Sequence, residues 1–258
     1  MTTDIKVVIL GSGTCVPSLK RSSCSIFIQS DSIKLLADIG AGTMRRLLEA
    51  GVHINDISHL FISHFHPDHT GELASFLFSA KYPKLTRSKE NPLTILAGKG
   101  FNLFFEKLKM LYGSWVELDP EIFRIIELST EQTDTYMIKD INITSIPVSH
   151  NQESIALKLE TKEKSIVYSG DTDYCENLIT IATNADLFIC ESALPDSLKV
   201  DNHLSPSSAG RTATKANVKK LVLTHFYPEC DKTDIAKECR TTYDGDLVLA
   251  EDLMVINM

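Results

Sequence analysis

Short apolar runs rich in β-branched residues recur along the first half of the chain, at 5–10, 25–28, 33–37, 59–62 and 93–96. Each is bounded by turn residues or charge, which predicts strands. Between them, 43–50, 71–80 and 102–112 place apolar residues three and four apart and predict helices. The second half repeats the alternation, with strands expected at 123–127, 141–146, 155–159, 165–168, 187–190, 221–223 and 248–250 and helices at 176–182, 207–216 and 232–240. Two successive β-rich halves interleaved with helices bury their sheet faces when the sheets stack and the helices lie outside. The expected fold is α/β (α+β), a four-layer αββα sandwich. With no Gly/Ser linker or short repeat, 1–258 reads as one domain.

With 258 residues, 43% hydrophobic and 23% charged, the chain can fill such a core. No apolar run reaches the roughly 18 to 20 residues of a membrane span, and the opening residues lack the order of a signal peptide, so a cytoplasmic protein without a membrane partner is expected. Six cysteines with no Cys-x-x-Cys pair read as reduced thiols. A net charge of −8 disfavours a general nucleic-acid binder. The one basic cluster, 81–89, reads as a solvated loop.

Among eight histidines, His53 and His59 sit at helix-exit and strand-entry positions and read as structural. The others carry the chemistry. The strand at 59–62 ends at Ser63, and His64, His66, Asp68 and His69 crowd the turn that follows, around Pro67. Alternate residues of an extended segment share a face, so this turn can aim two imidazoles at one point and an Asp–His pair at a neighbouring one. Imidazole and carboxylate without thiolate suit zinc, manganese or iron, with zinc the default for a hydrolytic site that keeps open positions. His150, Asp171 and His225 each follow an expected strand end. His150 is expected on the first ion, His225 on the second and Asp171 between them, with Gly170 permitting close backbone approach. Taken singly, each of the three has an equal reading as a capping or loop residue.

The set His64-x-His66-x-Asp68-His69, His150, Asp171, His225 resembles the metallo-β-lactamase superfamily. Within it, Leu10-Gly-Ser-Gly-Thr-Cys-Val-Pro17-Ser-Leu-Lys-Arg21 is similar to the Gly-rich loop and Pro-x-Lys-x-Arg-Asn segment of tRNase Z and its relatives, and Asp38-Ile-Gly-Ala-Gly-Thr43 to their Asp-Cys-Gly-Glu-Gly-Thr turn. The segment ending at Glu191-Ser-Ala193 resembles their His-Glu-Ala-Thr, and His203-Leu-Ser205 their His-Ser-Thr. The resemblance implies that Glu191 and His203 form an orienting pair and that Asp38 steadies the ligand loop. There are departures. Only twenty residues separate His150 from Asp171, where tRNase Z proteins commonly insert an arm that grips tRNA. Ser22 stands for the motif's Asn, Cys190 for the His before the Glu, and Pro228 follows Phe226-Tyr227 where an Arg is expected nearby.

The expected protein is a dinuclear metal-dependent hydrolase holding two divalent ions, Zn2+ first and Mn2+ or Fe2+ in its place. Two ions lower the pKa of a bridging water and clamp a phosphoryl oxygen, Asp68 orients or deprotonates that water, and His203 protonates the leaving alkoxide. Without the arm, a phosphodiesterase on small or cyclic phosphodiesters leads. The alternatives are tRNA 3′ processing on RNA, then thioester, sulfate-ester or lactone hydrolysis, and last a metal-stabilised binding module. A homodimer is implied by analogy alone. The apolar stretch 101–115 reads as a core helix ahead of a pocket wall or dimer face.

Overall fold

The chain is described by a computed structural model over residues 5–82 and 89–258. Strands β1 (Lys6–Gly11), β2 (Ser25–Gln29), β3 (Lys34–Ala37), β4 (His59–Ile62), β5 (Leu93–Gly98) and β6 (Phe123–Leu128) join the last strand, β14 (Met254–Asn257), in a seven-stranded sheet ordered β14-β1-β2-β3-β4-β5-β6. The second seven-stranded sheet holds β7 (Asp134–Ile138), β8 (Ile141–Pro147), β9 (Ile155–Glu160), β10 (Ser165–Tyr168), β11 (Leu187–Glu191), β12 (Lys220–Thr224) and β13 (Asp246–Leu249), ordered from β13 back to β7. Helices α1 (Thr43–Glu49), α3 (Leu73–Ser79) and α4 (Phe101–Tyr112) cover the first sheet, and α5 (Glu176–Ala182) and α6 (Pro206–Lys215) the second, with α7 (Ile235–Cys239) packed on α6. A single turn, α2 (Pro67–Thr70), lies inside the ligand loop. This is the αββα sandwich that the pattern predicts.

β4 shows why the run is apolar at every position. Leu60 and Ile62 face the helix layer, where Leu47, Phe76 and Phe101 meet them, while Phe61 faces the second sheet. A strand buried on both faces has no polar side to offer. Each such side chain contributes roughly 1.5–3 kcal/mol by leaving water.

Two strands went unpredicted, β7 and β14, and both are sheet edges. Their residues alternate between exposed and partly buried, so the apolar signal is diluted. β14 also crosses back from the second half to pair with β1, joining Asn257 to Lys6 in register. The expected core helix at 101–115 is corrected: only Phe101 and Phe105 of α4 are buried, whereas Leu103, Met110, Leu111, Tyr112 and the following Trp115 are exposed. Most of the 81–89 cluster lies outside the described residues; Lys81 is exposed and donates to the Glu117 carbonyl at 2.9 Å. All six cysteines are free thiols. Among the described residues no helix is long and apolar enough to cross a membrane.

Strands β8, β10, β11 and β12 run the same way, since β8 and β10 are both antiparallel to β9 and β10 to β12 are mutually parallel. Their carboxyl ends therefore open on one edge of the sandwich, together with that of β4. The loops at that edge carry every residue singled out for the metal site.

Candidate metal centre

The loop after β4 delivers four of the predicted residues. Pro67 starts the single turn α2, which lifts Asp68 and His69 off the extended segment holding His64 and His66. His64 and His69 are fully buried, and His66 is exposed at the rim. From the second sheet come His150 after β8, Asp171 after β10 and His225 after β12. Donor atoms of His64, His66, His150 and Asp171 gather within 4.8 Å of one another, as do those of Asp68, His69 and His225. His203, with Asp171 and His225, makes a third grouping of the same tightness.

Asp171 stands between the clusters, buried to 3% exposure. Its Oδ2 lies 3.6 Å from His64 Nε2 and 3.3 Å from His225 Nε2, and its Oδ1 3.2 Å from His69 Nε2. Burial alone would push this carboxyl up; the imidazoles of His225, His69 and His64 outweigh it and hold it well below the usual carboxylate range. Asp68 is likewise lowered against its burial, chiefly by His225. Gly170 makes the approach of the β10 loop feasible: it sits at φ +56°, and a Cβ there would come within 2.7 Å of Ser63 Cβ. Gly40 does the same on the other side, since a Cβ would meet the Asp68 carbonyl oxygen at 2.0 Å.

The imidazole tautomers are set by partners on the far side of each ring. His69 Nδ1 donates to Asp38 Oδ2 at 2.7 Å. His150 Nδ1 donates to the Asn202 carbonyl at 2.9 Å. Ser63 Oγ donates to Asp38 Oδ2 at 2.7 Å and so accepts from His64 Nδ1 at 3.1 Å. In all three rings Nε2 is the nitrogen aimed inward, toward Asp171 from His64 and His69 and toward His66 from His150. His66 is reversed, with Nδ1 turned to His150 Nε2 at 3.3 Å and Nε2 resting 3.0 Å from the Asn151 amide. Burial, with the neighbouring His69 charge, holds His64 well below its ordinary value. Burial opposes protonation of His69, but Asp171 and Asp38 prevail and raise it well above 6.5.

These atoms fit metal ions. His64 Nε2, Asp171 Oδ1 and His225 Nδ1 are buried without a hydrogen-bond partner, an arrangement that costs free energy unless something else satisfies at least the first two. The paired ring nitrogens, 3.3 Å apart for His66 and His150 and 3.4 Å for His69 and His225, match the edge of a tetrahedron with metal–nitrogen bonds of about 2.0–2.1 Å. His225 is held for this at φ 62°, a strained backbone for a non-glycine residue, with the Phe226 amide donating to the Ser12 carbonyl at 2.9 Å.

His203 and Glu191 meet as expected, His203 Nδ1 donating to Glu191 Oε1 at 3.0 Å. The Thr172 amide donates to the same oxygen at 2.6 Å. Burial raises the Glu191 carboxyl, while its bond to His203 overcomes the cost of burying that ring and raises His203 to about 9. His203 lies two residues before the Ser205 cap of α6, slightly ahead of the expected helix start. Arg21 is half-buried and engaged by its neighbours: it is paired with Asp231 at 2.8 Å, bonded to Ser12 Oγ and stacked over Phe226, with its carbon 4.7 Å from the ring centre.

Sequence reasoning missed Asn151, Asn202 and Tyr168. Asn151 was visible as the polar neighbour of a predicted ligand; Asn202 acts through its carbonyl, which no side-chain pattern reveals. Tyr168 looked like one more apolar residue of a strand.

A family model described as Anti-Pycsar protein Apyc1 matches residues 5–242. Among curated proteins, the ribonuclease Z of Methanothermobacter thermautotrophicus is 24% identical over 306 aligned positions that cover 98% of this chain and 97% of that protein. Among solved structures, the metallo-β-lactamase fold protein YhfI of Bacillus subtilis superposes with a TM-score of 0.85 at 22% identity over 100% of both chains. A diphosphatase of the PhnP family superposes with a TM-score of 0.72 at 15% identity, covering 99% of this chain and 97% of its own.

Proposed function

Because the chain belongs to the Anti-Pycsar protein Apyc1 family, a ribonuclease Z-like set of metallo-β-lactamase-fold hydrolases, we propose that it is a dinuclear metal-dependent phosphodiesterase acting on small or cyclic phosphodiesters. The observation that carries this reading is the hairpin between the His150 and Asp171 loops. β9 and β10 are joined by residues 161–164 alone, closed by the Thr161 amide donating to the Lys164 carbonyl at 2.9 Å. No arm rises there to hold a folded RNA, and Arg21 is engaged by Asp231 and Ser12. The alignment with the ribonuclease Z is longer than this chain, so that relative carries stretches this one lacks. The PhnP-family diphosphatase shares the fold.

The ions, most suitably zinc, would be held by His64, His66 and His150 and by Asp68, His69 and His225, with Asp171 shared. When bound, they supply Lewis-acid polarisation of the phosphoryl group and a water acidic enough to attack at neutral pH. Asp68, 11% exposed on its side chain, is accessible enough to orient a water there. His203, raised to about 9 and braced by Glu191, carries a proton at neutral pH for the leaving alkoxide.

A second reading, tRNA 3′ processing, is favoured by the ribonuclease Z relative, matched over nearly its whole length. Zinc-loaded protein and a His66→Ala control, offered a cyclic nucleotide and a 3′-extended tRNA precursor, separate the two. Hydrolysis of the cyclic ester alone is expected; endonucleolytic cleavage of the precursor would replace the first reading with the second.

A further inference from the structure

Asp38 is the point where both metal clusters are braced. It sits fully buried after β3 at φ 61°, and its carboxylate accepts four hydrogen bonds. The Ser63 amide donates to Oδ1 at 2.8 Å, and Ser63 Oγ, His69 Nδ1 and the Tyr168 hydroxyl donate to Oδ2 at 2.7, 2.7 and 2.6 Å. Three of these donors belong to the β4 loop, on the same sheet as Asp38. The fourth crosses the sandwich: Tyr168 ends β10 in the second sheet, is 1% exposed, and begins the chain path to Asp171. Its oxygen is also 3.3 Å from the buried Cys24 thiol, whose S–H can donate to it while the phenol donates to Asp38.

Resting on the dinuclear reading above, we propose that Tyr168 is a positioning residue for the second ion, its hydroxyl locking the Asp38–His69 brace of one sheet to the Asp171 loop of the other. A phenol on an inter-sheet face needs a hydrogen-bond partner, and any acceptor would satisfy that need. It is bonded to the carboxylate that orients a ligand. Removing the hydroxyl leaves Oδ2 with Ser63 and His69 alone and frees it to shift along the sheet normal, carrying His69 with it. His66 and His150 do not touch Asp38, so the first ion keeps two of its ligand braces. Outer partners of metal-bound histidines are typically worth about 10- to 100-fold in affinity.

The test is zinc binding by calorimetry and metal content after dialysis, with cobalt absorption as a spectroscopic readout, on wild type, Tyr168→Phe and Cys24→Ala. Expected are two ions in wild type, a second-ion affinity weakened about 10- to 100-fold in Tyr168→Phe with a smaller change in the first, and no change of either in Cys24→Ala. Two ions bound by Tyr168→Phe with wild-type affinities would overturn the inference, even if its melting temperature fell, because packing alone would then account for the residue. A wild type that takes up fewer than two ions would overturn the dinuclear reading itself and the inference with it. Should Tyr168→Phe not fold, wild type labelled at its tyrosine ring carbons serves. The resonance in contact with Leu157 and Ile189, the strand neighbours of Tyr168, is expected to move with the second equivalent of zinc, and immobility through both equivalents would overturn the proposal.

Discussion

The two clusters of the candidate metal centre differ in their outer histidines, although the first also includes the fully buried His64. On the rim, His66 is exposed and His150 half-buried, and their outer nitrogens meet a side-chain amide and a loop carbonyl. Inside, His69 and His225 are at most 1% exposed, and His69 is held by a carboxylate that itself accepts four hydrogen bonds. Neutral partners at a wet edge fix ring orientation and leave room for movement. A buried carboxylate also raises the donor strength of the ring, because no water competes for it. If the centre holds two ions, as proposed, the inner one would be anchored and the rim one would stay adaptable toward substrate.

The largest effect should come from the residue both clusters share. Asp171→Ala is expected to lose both ions and to leave no turnover of a cyclic nucleotide above background, a deficit beyond the roughly 10- to 100-fold of an outer partner; metal content and steady-state rates check it. Next is His203→Ala, expected to lower kcat by about 10²- to 10⁴-fold with metal content unchanged, as the loss of a general acid does. Since His203 is raised to about 9, the active form is protonated below that value, and the wild-type rate should fall as pH rises through it. A wild-type pH–rate profile with no alkaline limb would remove His203 from that role.

The halves can then be set against each other directly. Asp38→Asn should weaken the inner ion about 10- to 100-fold, whereas Asn151→Ala should weaken the rim ion by less, toward the lower end of that range. Equal losses, measured by competition with a chelating dye, would erase the distinction between rim and interior. The smallest effect lies outside both. His59, tilted toward Tyr136 with ring centres 6.5 Å apart, is lowered to about 4 by burial and by the nearby Arg124 and Lys139 charges. The unfolded chain takes up that proton near 6.5 and the folded one only near 4, so folding stability should be full above pH 6.5 and decline as pH drops toward 4. His59→Gln should flatten that slope in urea titrations without altering metal content.

Much of this arrangement was legible beforehand because metal sites concentrate unusual residues at strand ends. His64, His66, Asp68, His69, His150, Asp171 and His225 stood out by type and context, and the structure brings their donor atoms together. The braces were not legible for a physical reason. Asn202 contributes a backbone oxygen, and Tyr168 reaches a carboxylate 130 residues away in sequence, so neither leaves a local signature. Edge strands escaped for a related reason: β7 and β14 bury too little for periodicity to register. In α4 the apolar count was right and the inference of burial wrong, because an exposed apolar face and a buried one look alike in a sequence.

The donors are divided by sheet. His64, His66, Asp68 and His69 arrive with the strands of the first, and His150, Asp171 and His225 with those of the second. Neither half alone carries the full donor set, so if the site holds ions as proposed, a chain severed in the turn between β6 and β7 would yield two fragments whose reassociation those ions would favour. Ions that bind only the docked state stabilise it in proportion to the logarithm of their concentration. Zinc uptake in such a mixture would report that the two sheets have met.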